Sequence, residues 1–389
     1  MNTARRMQSL SSGVFNEMEE RKKTVEARGI EVINLGVGSP DQPPAPHIIE
    51  ALRKAVADPK NYSYSLGGTA NLHNALANWY KQRFNVDLDP DHEILVLMGS
   101  QDGLAHLAMT YIDPGDVALV PDPGYPIYNF SIQLAQGEIY PLPLLAKNRF
   151  LPDLSQIPEE IAAKSKLMWL NYPNNPVAVS ADLEFFTQVV EFARKYDILV
   201  CHDVAYAELA YDGFKPMSFL EVPGAKEVGI EFYSLSKTYN MAGCRVGFAV
   251  GNREVISNLS LLKSNIDYGV FFVIQEAAIA ALTGPQECVE INASTYQRRR
   301  DVLVDGLAKL GWHIPKPNAS MFLWAPIPSQ YTSSRLFAAD LLDKAGVIVI
   351  PGTAFGEMGE GYVRIALVKD EVLLAEAVQR IGQNFKFIF

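Results

Sequence analysis

Ser234-Leu235-Ser236-Lys237-Thr238-Tyr239-Asn240-Met241-Ala242-Gly243-Cys244-Arg245-Val246-Gly247 follows directly on the β-rich run 230–234, so Lys237 stands just past the end of a strand. A lysine is rarely taken into a protein interior unless it is paired or functional. Fixed at a strand end and partly desolvated, its amine can shed a proton and attack a carbonyl carbon. Ser234 and Ser236 flank it upstream and Arg245 follows eight residues later. Two hydroxyls and a guanidinium together suit a phosphate. A lone lysine in a polar loop would be read as a solvated surface residue; this company of groups argues otherwise.

Outward from that stretch, strand-like runs at 93–98, 117–120, 167–170, 198–202, 230–234 and 245–250 alternate with helical patterns. Leu104, Ala105, Leu107, Ala108 and Tyr111 mark one helix, stopped by Asp113-Pro114-Gly115. Leu183, Phe185, Phe186, Val189, Val190, Phe192 and Ala193 mark another, with Ser180 as the expected N-cap. Such alternation predicts an α/β domain around a mostly parallel sheet, where ligands bind beyond the carboxyl ends of the strands. Before it, a polar helix-like stretch at 15–28 leads to a short strand and a Gly/Pro turn at 32–41. Residues 253–283 read as a long helical connection. Beyond it come strands near 320–324, 347–349 and 362–367 and helices near 334–344 and 371–385.

The loops after the strands hold the remaining candidates. Asp203 ends the run 198–202, where a carboxylate is costly to desolvate without a cation. A protonated pyridine nitrogen is such a cation, although capping the next helix is the commoner role for an Asp at a strand end. Tyr206 lies three residues on, within reach of a ring oxygen. Met98-Gly99-Ser100-Gln101-Asp102-Gly103 joins a strand to a helix, and backbone N–H groups at such a junction bind anions. Tyr125, in Asp122-Pro123-Gly124-Tyr125-Pro126, could stack on a flat cofactor or pack in a turn. Asn175, in Asn171-Tyr172-Pro173-Asn174-Asn175-Pro176, could reach a ring oxygen or a carboxylate. Arg364 interrupts the apolar run 362–367 and so needs a buried anion, either a substrate carboxylate or an internal salt bridge.

At 389 residues the chain is too long for one ordinary core, and two domains are expected. The formal charge of −10 is spread without a basic stripe, which disfavours nucleic acid and anionic membranes as partners. Cys201, Cys244 and Cys288 are odd in number and widely spaced, suggesting neither a disulfide framework nor a metal knuckle. Neither a signal-like h-region nor an apolar run of about 18 residues occurs. The expectation is a cytoplasmic protein with no metal site.

Taken in order, Asn175-Pro176, Asp203-x-x-Tyr206, Ser234-x-Ser236-Lys237 and Arg245 resemble the class I/II aminotransferases of fold type I, which use pyridoxal 5′-phosphate. The resemblance runs from Asn34 to Arg364. It implies an aspartate aminotransferase-like α/β fold, with a mostly parallel seven-stranded sheet in a large domain and a smaller α+β domain. It divides the chain into an arm (1–44), a large cofactor domain (45–280) and a small domain (281–389). Lys237 would carry the cofactor as a Schiff base and shuttle a proton. Asp203 would pair with the pyridine nitrogen, Tyr206 and Asn175 with the ring oxygen, and Tyr125 with the ring face. Ser100, backbone of Gln101 and Asp102, Ser234, Ser236 and Arg245 would hold the phosphate. Arg364, Asn175 and the Gly38 backbone would receive the substrate α-carboxylate. The family also implies a homodimer in which a partner tyrosine reaches the phosphate. Tyr62 has the matching spacing to Gly67 and Tyr64 is the alternative, although His73 replaces the usual arginine. Val177-Ala178 likewise stands where Thr-Gly is usual. The stretches 15–41, 122–125, 232–243 and 265–267 resemble the LL-diaminopimelate and alanine branch. An aminotransferase using a 2-oxo acid, expected to be 2-oxoglutarate, is implied. The alternatives are a β-lyase on the same scaffold and, more remotely, a non-enzymatic regulator that binds the cofactor.

Overall fold

The computed structural model describes residues 3–7 and 13–387; Met1 and Asn2 of the basic N-terminal segment lie outside the described residues. Its largest sheet has seven strands, in the order Ile94–Leu97, Gly247–Gly251, Gly229–Ser234, Leu199–Asp203, Ser165–Asn171, Val117–Asp122 and Glu138–Pro143. Only Gly247–Gly251 runs antiparallel to its neighbours. Its central strands are largely apolar because both faces are covered, and the buried exceptions His202 and Glu231 pair with each other. Met168, Leu170, Val200 and Phe248 pack on one face with Leu72, Leu76 and Val190. Leu167, Trp169, Cys201 and Phe232 pack on the other with Leu104, Leu107 and Leu259. That split follows from the two-residue side-chain period of a strand.

A second core surrounds the antiparallel sheet Ile350–Pro351, Tyr362–Ala366 and Phe322–Pro326. The helices Ser334–Ala345 and Glu371–Asn384 cover it, and Ile33–Asn34 pairs in parallel with Val347–Ile348 beside it. The N-terminal helix Gly13–Glu26 adds Met18 and Val25 to the same core. Among the described residues no helix is long and apolar enough to cross a membrane.

Four sequence expectations need correcting. The seven-stranded sheet is as expected, but its seventh strand, Glu138–Pro143, was not located; it lies at an edge, has one buried residue and holds Pro141 and Pro143, so it lacks a strand's apolar signature. The helical connection 253–283 is two helices, Arg253–Ser264 and Phe272–Thr283. They part where Asp267 accepts a hydrogen bond from the Gly269 amide and Gly269 takes φ +86°. The helix Glu287–Lys309 was also unforeseen, because its Arg-rich middle resembles a solvated segment while Arg299 and Arg300 are buried in ion pairs. Finally, the helix Leu183–Tyr196 is capped by Asp182, which accepts from the Phe185 amide at 2.9 Å; Ser180 instead donates to Asn318. Asp182→Ala is therefore expected to cost about 1 kcal/mol in urea unfolding. Ser180→Ala should cost clearly less.

Candidate active site

The carboxyl ends of the parallel strands converge on a cavity of about 560 Å³ that also takes in residues from the second core. Asn171, Asp203 and Ser234 are each the last residue of a strand. Lys237 lies on the single-turn helix Leu235–Thr238 that follows Ser234. Its amine donates to the Gly38 carbonyl at 2.7 Å. Burial, then the nearby positive charges of Arg364 and Arg245, pull its pKa down to about 8, with Asp203 opposing.

Asp203 is buried and accepts from the Tyr128 hydroxyl at 2.8 Å and the Ala205 amide at 3.3 Å. Burial pushes its carboxyl up despite these bonds. Behind it, Asn171 donates to the Asp203 carbonyl, and His202 lies between Glu231 and the Tyr172 carbonyl. The strand end that presents Asp203 is thus held from three sides. A carboxylate so placed calls for a cation inside the cavity.

At another side of the cavity is an anion cradle. Gly99 caps the helix Ser100–Tyr111 with φ +79°, and a Cβ there would lie 2.4 Å from the Arg245 guanidinium. Only glycine allows the arginine to lie against this helix start. Ser100, Gln101, Ser234 and Ser236 line the same region, and the Tyr125 hydroxyl donates to Gln101 at 3.1 Å. Arg245 itself bonds only the Ala242 carbonyl, at 3.1 Å, among the described hydrogen bonds. Asp102 departs from expectation. Its amide bonds the Gly99 carbonyl, and its side chain turns from the cavity to Lys263 (2.6 Å) and His106 (2.8 Å). Burial opposes, but those two hydrogen bonds hold its carboxyl at about 2.

Arg364 is buried in the strand Tyr362–Ala366, between the ring faces of Phe322 and Phe355 at 4.2 and 4.6 Å. It donates to Asn175 Oδ1 at 2.8 Å and to the Gly36 carbonyl at 2.6 Å, while Nε finds no partner. Burial lowers its pKa to about 10. Both of its hydrogen-bond partners are neutral, and among the described residues no carboxylate pairs with it, which leaves a buried guanidinium open to an incoming anion. Tyr206 lines the cavity and meets Phe322 edge-on at 5.7 Å.

Of the expected residues, Tyr62 stands apart. It is 62% exposed, bonds the Val56 carbonyl and touches Phe271, and does not line its own chain's cavity. Tyr128, Asn171, Gly36 and Phe322 were not anticipated. Tyr128 falls one helical turn after Tyr125, a spacing that could have flagged it; Phe322 carried no signal of chemistry.

The residues fit a pyridoxal phosphate: a cradle closed to any Cβ, a buried carboxylate in need of a cation, and a flat-ring neighbour in Tyr125. Comparison with known proteins agrees. The family model for aminotransferase class I and II matches residues 30–381. An LL-diaminopimelate aminotransferase of Moorella thermoacetica is 50% identical over 98% of both chains. One from Desulforudis audaxviator is 51% identical, covering 97% of this chain and 96% of its own. The apo-BacF structure from Bacillus subtilis superposes with a TM-score of 0.96 at 40% identity, covering 100% of this chain and 99% of that one. In the protein without cofactor, pH-dependent acylation of Lys237, read by mass spectrometry, should show a midpoint near about 8. A midpoint above about 10, the ordinary range for lysine, would refute the burial argument.

Proposed function

This chain belongs to the class I and II aminotransferases, and on that footing we propose which of its residues perform the transfer and on which amino acid. It is a pyridoxal-phosphate-dependent enzyme that moves an amino group between small molecules; the β-lyase alternative is not favoured by its relatives. The bound cofactor supplies an electron sink that acidifies the substrate Cα–H. Lys237 would hold the cofactor, and its amine, which burial leaves partly neutral near pH 8, would take the proton at the substrate Cα. Asp203 would keep a proton on the cofactor's pyridine nitrogen, and Tyr128 holds Asp203 in place. Tyr206 and the Asn175 amide would serve the ring oxygen, and Tyr125 would flank the ring. Arg245, Ser234, Ser236 and the helix start at Ser100–Gln101 hold the phosphate, while Asp102 supports that helix start from behind. Arg364, with Asn175 and the Gly38 backbone, takes the α-carboxylate. The observation that carries this reading is the buried Arg364, whose partners within the chain are all neutral, in the same cavity as Lys237.

For the donor we propose LL-diaminopimelate, with 2-oxoglutarate as acceptor, because relatives 48–51% identical over nearly the whole chain carry that name. One observation favours alanine instead. The charged residues lining the cavity are Lys237, Asp203, Arg245 and Arg364, all used above, and 62–68 holds no acid for a distal ammonium. We further propose a homodimer of two-domain subunits divided near 44/45 and 280/281, acting in the cytoplasm. Tyr62, Tyr64, Leu66, Tyr268 and Phe271 form an exposed apolar patch of a kind that marks an interface, which supports a reading in which Tyr62 reaches the partner's phosphate.

Borohydride reduction should fix the cofactor to a peptide containing Lys237, and label on any other lysine would sink the assignment. Single half-reactions should run fastest with LL-diaminopimelate; alanine alone reacting would favour the second reading. Arg364→Ala should weaken every amino acid by roughly 2–5 kcal/mol. Sedimentation should give a dimer, and Tyr62→Phe should lower cofactor affinity; a fully active monomer would contradict the interface.

A further inference from the structure

The 23-residue helix Glu287–Lys309 lines no part of the active-site cavity, yet two of its buried side chains hold the backbone on which that cavity depends. Asn292 is 5% exposed. Its amide donates to the Lys237 carbonyl at 2.9 Å and, more weakly, to the Thr238 carbonyl at 3.4 Å. These are the carbonyls that a single-turn helix leaves without partners at its end. The Asn292 side-chain oxygen is buried and has no hydrogen-bond partner, so the donor half of the amide is the half in use.

Seven residues on, two turns along the same face, Arg299 is 1% exposed. Its two terminal nitrogens each lie 2.7 Å from an Asp41 carboxylate oxygen, and one also reaches the Leu367 carbonyl at 3.2 Å. Asp41 closes the segment that supplies the Gly36 and Gly38 carbonyls, the acceptors for Arg364 and Lys237. Leu367 directly follows the strand that bears Arg364. One helix face therefore reaches Lys237 from both ends of the residue.

We propose that Asn292 and Arg299 are positioning residues for amino-group transfer: Asn292 fixes Lys237 at its backbone carbonyl, and Arg299, through Asp41 and the Gly38 segment, fixes it at its amine. The inference rests on Lys237 being the residue that moves the proton. A long flexible side chain loses rate quickly when its reacting atom drifts, since misplacement by about 1 Å can cost about 100-fold. A helix anchored in the second core is rigid enough to prevent that drift. A purely structural role for the two residues would affect unfolding and leave proton transfer unchanged.

The test uses full-length holoenzyme at saturating cofactor, with Asn292→Leu, Asn292→Asp, Arg299→Met and Arg299→Lys. The half-reaction is followed with L-glutamate and with its Cα-deuterated form. The rate should fall about 10- to 100-fold, with the half-saturating glutamate concentration little changed and the primary isotope effect raised. In cofactor-free protein, acylation of Lys237 should be faster in the Arg299 variants than in wild type, because the amine is no longer held on Gly38. Arg299→Lys, which keeps the charge but not the fork, should retain more activity than Arg299→Met. A wild-type rate, isotope effect and acylation rate would overturn the proposal, as would changes confined to the thermal midpoint. If the arginine variants fail to fold, the two Asn292 variants decide. Borohydride label away from Lys237 in wild type would overturn the underlying assignment as well, and is distinguishable because it needs no variant.

Discussion

The arrangement of this enzyme depends on one constraint: an amine must be buried among charges and still be free to lose its proton. Lys237 meets it by donating to a neutral carbonyl, Gly38, while two guanidiniums press on it electrostatically and one carboxylate relieves that pressure. Desolvation and like charge act together to bring the amine to about 8. Pairing Lys237 directly with a carboxylate would instead favour its protonated form.

The charges come from different parts of the chain. Asp203 belongs to the large sheet and Arg364 to the small one. Gly36 and Gly38 arrive on the segment that leaves the Ile33–Asn34 strand. Packing of one core against the other therefore sets the distances that matter, and isolated halves would leave each charge facing water. Glycines appear where backbones must come close. A Cβ at Gly38 would lie 2.4 Å from the Phe322 ring, and one at Gly99 would strike Arg245.

A second buried network lies behind the anion cradle. Lys263 joins Asp102 at 2.6 Å to Asp267 at 2.5 Å, tying the helix start at Ser100 to the turn that interrupts the paired helices. That turn hydrogen-bonds to the 65–67 loop through the Tyr268 carbonyl. The exposed aromatic patch is thus mechanically continuous with the helix start at Ser100. The Asp102 side chain, turned from the cavity, serves this network.

Local chemistry by itself determined a good deal. Strand-end groups such as Lys237, Asp203 and Ser234 were legible because an alternating α/β pattern says where strands end and because charge at such a place demands a reason. Arg364 was legible for the same reason, as an isolated charge in an apolar run. What the sequence could not carry was partnership across long separations. Tyr128 on Asp203, Asn292 on Lys237 and Arg299 on Asp41 are separated by 75, 55 and 258 residues. The helix Glu287–Lys309 escaped notice because arginines that are neutralised by distant aspartates look, in one dimension, like solvated ones. Hydrophobic period and turn chemistry are local and survive in the sequence, whereas the pairing of buried charges is decided only when the two cores close on one another.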